Sequence, residues 1–283
     1  MRSACIAAAL LTIASSAFAQ DAMVYPLSVV AKGETIFVAD RAKPGTAPAV
    51  WKIEGGKAEV FFKGQKKYRT PLNAIRCLAI DHEGKLLAGD SATRDIYRFG
   101  DDGKPVPLTK GKIGIPMSIV VAKDGTIYVA DLEVHRIWKV PAKGGKPEEF
   151  AVINSPRGLA LDKDERLWIL STSSKDGQIQ RADKDGKLES IIKDKPFQMP
   201  HNIVVKEDGT AFVTDNYAGA IWKVSADGKP EKAMSGDPLK KPVGLSAFGK
   251  ELVIADPHAR AIFKTVAGKL ETVYAAPKDE AAK

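Results

Sequence analysis

Three residues that can carry positive charge occupy the same position in a sequence repeat of the 283-residue chain. They are Arg76, Arg157 and His201, and each directly follows a position that is proline in most copies of the repeat. A guanidinium binds carboxylate, phosphate or sulfate through two parallel hydrogen bonds, and a histidine can donate, accept or move a proton. If the copies meet around one axis, we expect these residues and the adjacent Asn202 to bind an anionic ligand, with His201 the one candidate general base.

A second interpretation of the two arginines stays open in the sequence. Arg76 and Arg157 could reach acidic residues in neighbouring loops, for example Asp95 or Glu133. Exposed ion pairs of this kind contribute little to stability and serve only the scaffold. The sequence therefore leaves the arginines either in a ligand site or in local ion pairs.

Metal ligands are scarce, since the chain has four histidines. His135 and His258 lie in predicted loops on the same face as His201, so the three could bind zinc if both loops folded inward. The ordinary alternative is that they are surface histidines in polar loops. We therefore predict no firm metal site, although a divalent ion, zinc or calcium, stays open as a cofactor.

Six copies of this sequence repeat position these residues. The clearest copies begin at Ile115 and Met199, and fainter ones start near Pro26, Ile75, Pro156 and Pro242. Each copy contains four short runs rich in Val, Ile and aromatic residues with glycine-bearing turns between them, which indicates an antiparallel meander. A four-stranded sheet with two apolar faces must be covered on both. Repetition at roughly 40–45 residues around an axis therefore predicts an all-β, closed six-bladed β-propeller with four antiparallel strands per blade.

The sequence also predicts the limits of the propeller. Residues 1–19 read as a signal peptide with a positive start, a short apolar stretch and an Ala-Phe-Ala cleavage site, so we expect an exported, periplasmic or secreted protein. The propeller is predicted over 20–276, followed by a disordered tail, 277–283. The predicted blades lie near 25–64, 71–111, 115–153, 155–194, 199–236 and 241–276.

The frame P-x-x-I/L-x-x-x-x-D-G-x-I/L-Y-V-A-D…R-I-W resembles the repeat of NHL propellers and of the neighbouring gluconolactonase/strictosidine-synthase-like superfamily. The resemblance covers about 25–276 and implies the fold, but this superfamily includes lactonases, lyases and pure binding modules. Gluconolactonase-type enzymes hold a divalent metal through an inner-strand Glu of the first blade with Asn and Asp from others. The first blade here offers Leu27 and Ser28, and Asn202 is the only matching ligand, so the resemblance implies that this metal site is missing. Pro200-His201 also resembles the peptide-amidating lyase propellers, whose zinc needs several inner-strand histidines where this chain supplies one.

The copies act as internal controls for one another. Five of them end their second strand in an aspartate and the fourth in Ser171: Asp40, Asp90, Asp131, Asp215 and Asp256. We expect these carboxylates to accept hydrogen bonds from the following loop rather than to form a metal-binding ring. The third strand repeats an aromatic residue, which indicates packing between blades: Trp51, Tyr97, Trp138, Trp222 and Phe263.

Two rows of residues could line the channel mouth, because successive strand residues face opposite ways. The first row is Leu27, Arg76, Met117, Arg157, His201 and Val243. The second row is Ser28, Cys77, Ser118, Gly158, Asn202 and Gly244. Neither row contains a carboxylate, and the sequence does not decide between them.

The function favoured by these patterns is a non-catalytic, exported propeller that binds an anionic small molecule, glycan or partner protein at the mouth. The alternative is a metal-assisted hydrolase of lactones or esters, or a lyase, with a degenerate metal site. The net charge of +8 comes from scattered lysines without interleaved aromatic residues, so we expect no nucleic-acid partner. We also expect no membrane span and a monomer.

Overall fold

The structure, a computed structural model, describes residues 22–41, 47–65, 67 and 69–277. The predicted signal peptide and residues 278–283 of the predicted tail lie outside the described residues. Among those that are described, every regular element is a β-strand, and no helix is long and apolar enough to cross a membrane. The strands form six four-stranded antiparallel sheets, which confirms the predicted six-bladed propeller.

Each blade is built from four consecutive strands, numbered β1–β24 in chain order. Blades one and two comprise Pro26–Lys32, Thr35–Asp40, Ala49–Glu54, Lys57–Lys63 (β1–β4) and Ile75–Ile80, Leu86–Asp90, Asp95–Phe99, Pro105–Pro107 (β5–β8). Blades three and four comprise Pro116–Val121, Ile127–Asp131, Arg136–Val140, Glu148–Val152 (β9–β12) and Pro156–Leu161, Leu167–Ser171, Ile179–Ala182, Leu188–Ile192 (β13–β16). Blades five and six comprise Pro200–Val205, Ala211–Asp215, Ala220–Val224, Pro230–Ser235 (β17–β20) and Gly244–Phe248, Glu251–Asp256, Ala261–Val266, Lys269–Ala275 (β21–β24). The first strand of each blade faces the central channel.

Six apolar clusters lie between neighbouring blades, one at each interface of the ring. The repeated third-strand aromatics belong to them, which confirms that these side chains pack between blades. Trp51, for example, packs with Val253 and Ile262, and so joins blade one to blade six. Blade four replaces the aromatic with Gln180, which is buried and donates from Nε2 to Ser174 Oγ at 2.9 Å.

Among the described residues, each of the six sheets consists of four consecutive strands, so no strand from the other end of the chain latches the ring there. The seam between blades six and one is held by side-chain packing. Met23, fully buried, packs against Val253 and Ala255 of blade six, and its N–H donates to Tyr274 Oη at 3.0 Å. The segment before β1 therefore joins the last blade to the first.

The repeated aspartates connect two segments of their own blade. The Asp131 carboxylate accepts from the N–H groups of Gly114 (2.7 Å) and Ile115 (2.9 Å), which precede the inner strand, and from Glu133 N–H (3.1 Å) in the following loop. The predicted bonds to the following loop are thus confirmed here, and the segment before the inner strand is a further partner. The Trp138 indole N–H also donates to this carboxylate, at 2.9 Å. These bonds fix the backbone on both sides of the mouth.

Candidate functional site

The first row of inner-strand residues surrounds a cavity of about 260 Å³ at the end of the channel where these strands begin. All six members line it: Leu27, Arg76, Met117, Arg157, His201 and Val243. The loops add further residues: Tyr25, Arg41, Ile115, Leu132, Asn216 and His258. The structure therefore brings Arg76, Arg157 and His201 together at one mouth.

The second row faces the neighbouring blades. Cys77 Sγ donates to Pro116 O of the next blade at 3.3 Å, and Leu78 N–H donates to Ser28 Oγ of the preceding one at 3.0 Å. At Gly158 a Cβ would lie 2.9 Å from the Asn202 Cα. The small residues of this row are therefore explained by close approach of the inner strands.

Asn202 lies at the cavity, but its amide already has partners. Nδ2 donates to Leu245 O of blade six at 3.3 Å, and Oδ1 accepts from Ile203 N–H at 2.8 Å. The residue thus also belongs to the ring of contacts between inner strands. Asn202 would therefore contribute less to ligand binding than to the contact between the inner strands.

The cavity wall is cationic, because Arg41, Arg76 and Arg157 line it and none of its described lining residues is Asp or Glu. Arg76 Nε donates to Ser91 Oγ at 3.0 Å. The Arg157 Nε is buried and has no hydrogen-bond partner within the described part of the chain. Burial lowers the pKa of both Arg76 and Arg157, and the pKa of each is lowered further by a neighbouring arginine, Arg41 for Arg76 and Arg76 for Arg157.

The alternative pairing of these arginines with loop acids is wrong for both acids considered. Glu133 forms an ion pair with Arg94 at 2.5 Å. Asp95 accepts hydrogen bonds from Ile96 N–H at 2.8 Å and from the Thr109 side chain at 2.6 Å. Local hydrogen bonds and Arg94 therefore occupy these acids, and the mouth arginines form no ion pair among the described residues.

His201 is half-buried beside Arg157. Burial and, to a smaller extent, the positive charge of Arg157 lower the pKa of His201 to about 4, although Asp215 acts in the opposite direction. The imidazole is therefore neutral at pH 7. In that state it can donate one hydrogen bond and accept another, or accept a proton from a bound ligand.

The structure does not bring the three candidate zinc ligands together. His258 is at the mouth, where its ring lies 6.1 Å from that of Tyr25. His135 is exposed, and its Nδ1 accepts from Ser155 N–H at 3.1 Å. Across the described ranges there is no group of three or more His, Cys, Asp or Glu arranged to hold a metal ion. The described residues at the mouth therefore do not fit the metal centre that the resemblance to gluconolactonase-type enzymes and peptide-amidating lyases would imply.

Cys77 is the free cysteine of the described chain, and it is buried between blades. Burial raises the pKa of its thiol to about 12. A nucleophilic role would need the thiolate, so this side chain serves packing.

The model of the NHL repeat matches residues 115–140, which span β9 to β11 of blade three. The chain has the fold of the NHL and gluconolactonase-like six-bladed propellers. Among solved structures, this propeller is similar to a gluconolactonase from Xanthomonas campestris, with a TM-score of 0.68, 19% identity and 84% of each chain covered. At that identity the likeness concerns the fold.

Two curated relatives of this propeller are enzymes by name. Peptidyl-glycine alpha-amidating monooxygenase B of Xenopus laevis is 28% identical over 183 residues, 60% of this chain and 20% of the relative. Virginiamycin B lyase of Nocardia farcinica is 27% identical over 169 residues, 60% of this chain and 58% of the relative. The chain thus spans about a fifth of the first relative and less than two thirds of the second.

Among the loop residues of the mouth, the sequence placed His258 on the correct face but did not indicate Tyr25, Leu132 or Asn216. Arg41 follows the aspartate that ends β2, and its guanidinium lies 6.0 Å from the centre of the Tyr25 ring. Leu132 takes the same place after Asp131 in blade three. The repeat contained the signal needed, because the residue that follows this aspartate points toward the mouth in several blades.

Proposed function

We propose that this propeller binds an anionic ligand at its channel mouth, and that the ligand is an anionic small molecule, glycan or acidic segment of a partner protein. The observation that carries the proposal is the buried, unpartnered Arg157 Nε in a wall without a carboxylate. The Arg157 side chain is half-buried, and a partly desolvated cation without an acceptor lowers stability, so a fold selected for stability alone would not keep it. A bound anion would supply the missing hydrogen-bond acceptor.

We further propose that the protein acts outside the cytoplasm and as a monomer. The support for export is the signal-like segment 1–19 in the sequence. The expectation of a monomer rests on the closed ring, which leaves only short strand edges for association.

The proposal predicts opposite effects of two arginine substitutions. Arg157→Met should weaken sulfate binding at least tenfold, because it removes a charged hydrogen-bond donor, while the free energy of unfolding stays equal or rises by about 1 kcal/mol. The matched control is Arg98→Met, since Arg98 pairs with the buried Asp81 at 2.7 Å, away from the mouth. It should lower stability and keep sulfate binding. Calorimetric titration and urea unfolding of both variants measure these effects.

Two results would contradict the proposal. A large loss of stability in Arg157→Met would make Arg157 a structural residue. Sulfate binding that is unchanged in this variant would place the anion elsewhere.

A second function is supported by the neutral His201 imidazole and by the lyase among the relatives. In this alternative His201 accepts a proton from a bound substrate in a hydrolase or lyase reaction. Cleavage of an ester or lactone by the purified protein, lost in His201→Gln, would favour the enzyme. No cleavage by either protein would favour the binding module.

A further inference from the structure

Three equivalent positions of the blade supply most of the side chains that line the mouth, and blades one and three use all three. The three positions are the residue before the one that opens the inner strand, the residue after it, and the residue that follows the aspartate or Ser171. In blade three these are Ile115, Met117 and Leu132, and the Leu132 N–H donates to Ile115 O at 3.0 Å. The same bond joins the first and third positions in blades one, two, four and five, at 3.0 to 3.3 Å. These five blades thus differ at these positions in side chain rather than in backbone.

Blade three fills all three positions with apolar side chains, and all three line the mouth cavity while staying half-buried. Each of the other five blades contributes at least one cationic or titratable residue to the cavity wall: Arg41, Arg76, Arg157, His201 and His258. The wall of the cavity therefore has one wholly apolar sector, here called the blade-three sector and defined by Ile115, Met117 and Leu132.

The blade-three sector lies between two arginines. Arg76 stands on blade two and Arg157 on blade four, and the two guanidiniums are close enough to lower the pKa of Arg157. An anion held by both would lie in front of the blade between them. A substituent on that anion would then contact Met117 and Leu132, where burying apolar surface is favourable.

We propose that the ligand is amphipathic, a single anionic group held by Arg76 and Arg157 with an apolar substituent on the blade-three sector. This inference rests on the proposed anion site and adds to it the class of ligand. A fully inorganic anion, or a glycan acid with hydroxyl groups on every side, would leave the apolar sector without a partner.

A series of straight-chain carboxylates from acetate to octanoate, titrated calorimetrically against the full chain, tests the inference, with sulfate as the anionic group alone. We expect the affinity to rise about two- to fourfold with each added methylene until the sector is covered. Leu132→Ala should reduce the affinity ratio of hexanoate to acetate about five- to tenfold and leave acetate unchanged. Leu27→Ala is the matched control, because this leucine lines the same cavity from blade one, half-buried like Leu132. It should leave the ratio unchanged.

The outcomes separate the two proposals. Binding of sulfate and acetate without a gain along the series would overturn the amphipathic ligand and keep the anion site. No binding of any anion would overturn the site itself. An equal fall of the ratio in Leu27→Ala would refute the assignment to blade three.

A comparison with N-acetylleucine identifies the source of the carboxylate. Binding as tight as that of hexanoate would assign it to a peptide C-terminus, and weaker binding to a free acid. Both results keep the shared chemistry of a carboxylate beside an apolar group.

Discussion

At the scale of single residues, Arg76 and Arg157 come together at the mouth, and neither forms an ion pair with a described carboxylate. Arg76 and Arg157 could be predicted as site residues because three other copies of the repeat have an apolar residue at the same inner-strand position. Their lack of carboxylate partners could not be predicted, because it depends on the path of the loops. Asp95 accepts hydrogen bonds from Ile96 N–H of its own strand and from the Thr109 hydroxyl, and Glu133 forms an ion pair with Arg94.

The burial of His201 predicts a pH-dependent stability. Its pKa is about 4 in the folded protein and near 6.5 in the unfolded chain, so the unfolded state binds the proton more readily between these values. Stability should therefore fall as the pH is lowered from about 6.5 to 4, and His201 should account for about 2–3 kcal/mol of that loss.

Urea unfolding at pH 7.5 and pH 4.5 measures this effect. His201→Gln should lose less stability between the two values than the unaltered protein does. The exposed His258→Gln serves as control and should behave like the unaltered protein. An equal loss in all three proteins would show that His201 titrates normally.

At the scale of elements, loops and turns position the site. Asp131 holds the segment before β9 and the loop after β10, so that Ile115 and Leu132 lie together at the cavity. Blade four uses Ser171 instead, whose hydroxyl donates to Asn154 O and accepts from Ser174 N–H at 3.0 Å. The repeated aspartate could be predicted from the sequence. Its hydrogen bonds to the segment before the inner strand could not, because the two come together only in the folded blade.

Glycine in the turn between the third and fourth strands predicts a contact between blades. Gly186 has a φ of +81°, and a Cβ there would lie 2.1 Å from Phe150 O of blade three. Gly103, in the same turn of blade two, has a φ of +70° and nothing within 4 Å of a Cβ. Both alanine variants should lose about 1 kcal/mol from the positive φ.

Gly186→Ala should lose about 2 kcal/mol more than Gly103→Ala, because β12 must move to accept the methyl group. The free energies of urea unfolding of the two variants give this difference directly. Equal losses would show that blades three and four are not in contact at this turn.

At the scale of the whole molecule, the six sequence repeats were sufficient to predict the propeller, because each repeat forms a sheet with two apolar faces that only its neighbours can cover. The closure of the ring could not be predicted in this way. Met23 precedes the first copy and Tyr274 lies in the last strand, so no repeated residue encodes their contact.

The closure makes Met23 important to the stability of the entire ring. Met23→Ala should lower the free energy of unfolding by about 2–5 kcal/mol, because it leaves a cavity among Val253, Ala255 and Trp51 at the seam. Met234→Ala is the control, since Met234 is half-buried on the outer strand of blade five and should cost less. In Met23→Ala, backbone hydrogen exchange should accelerate first in β1 and β22, the strands on either side of the seam, since a ring opens at its weakest interface. Acceleration spread evenly over all six blades would mean that this seam is no weaker than the other five.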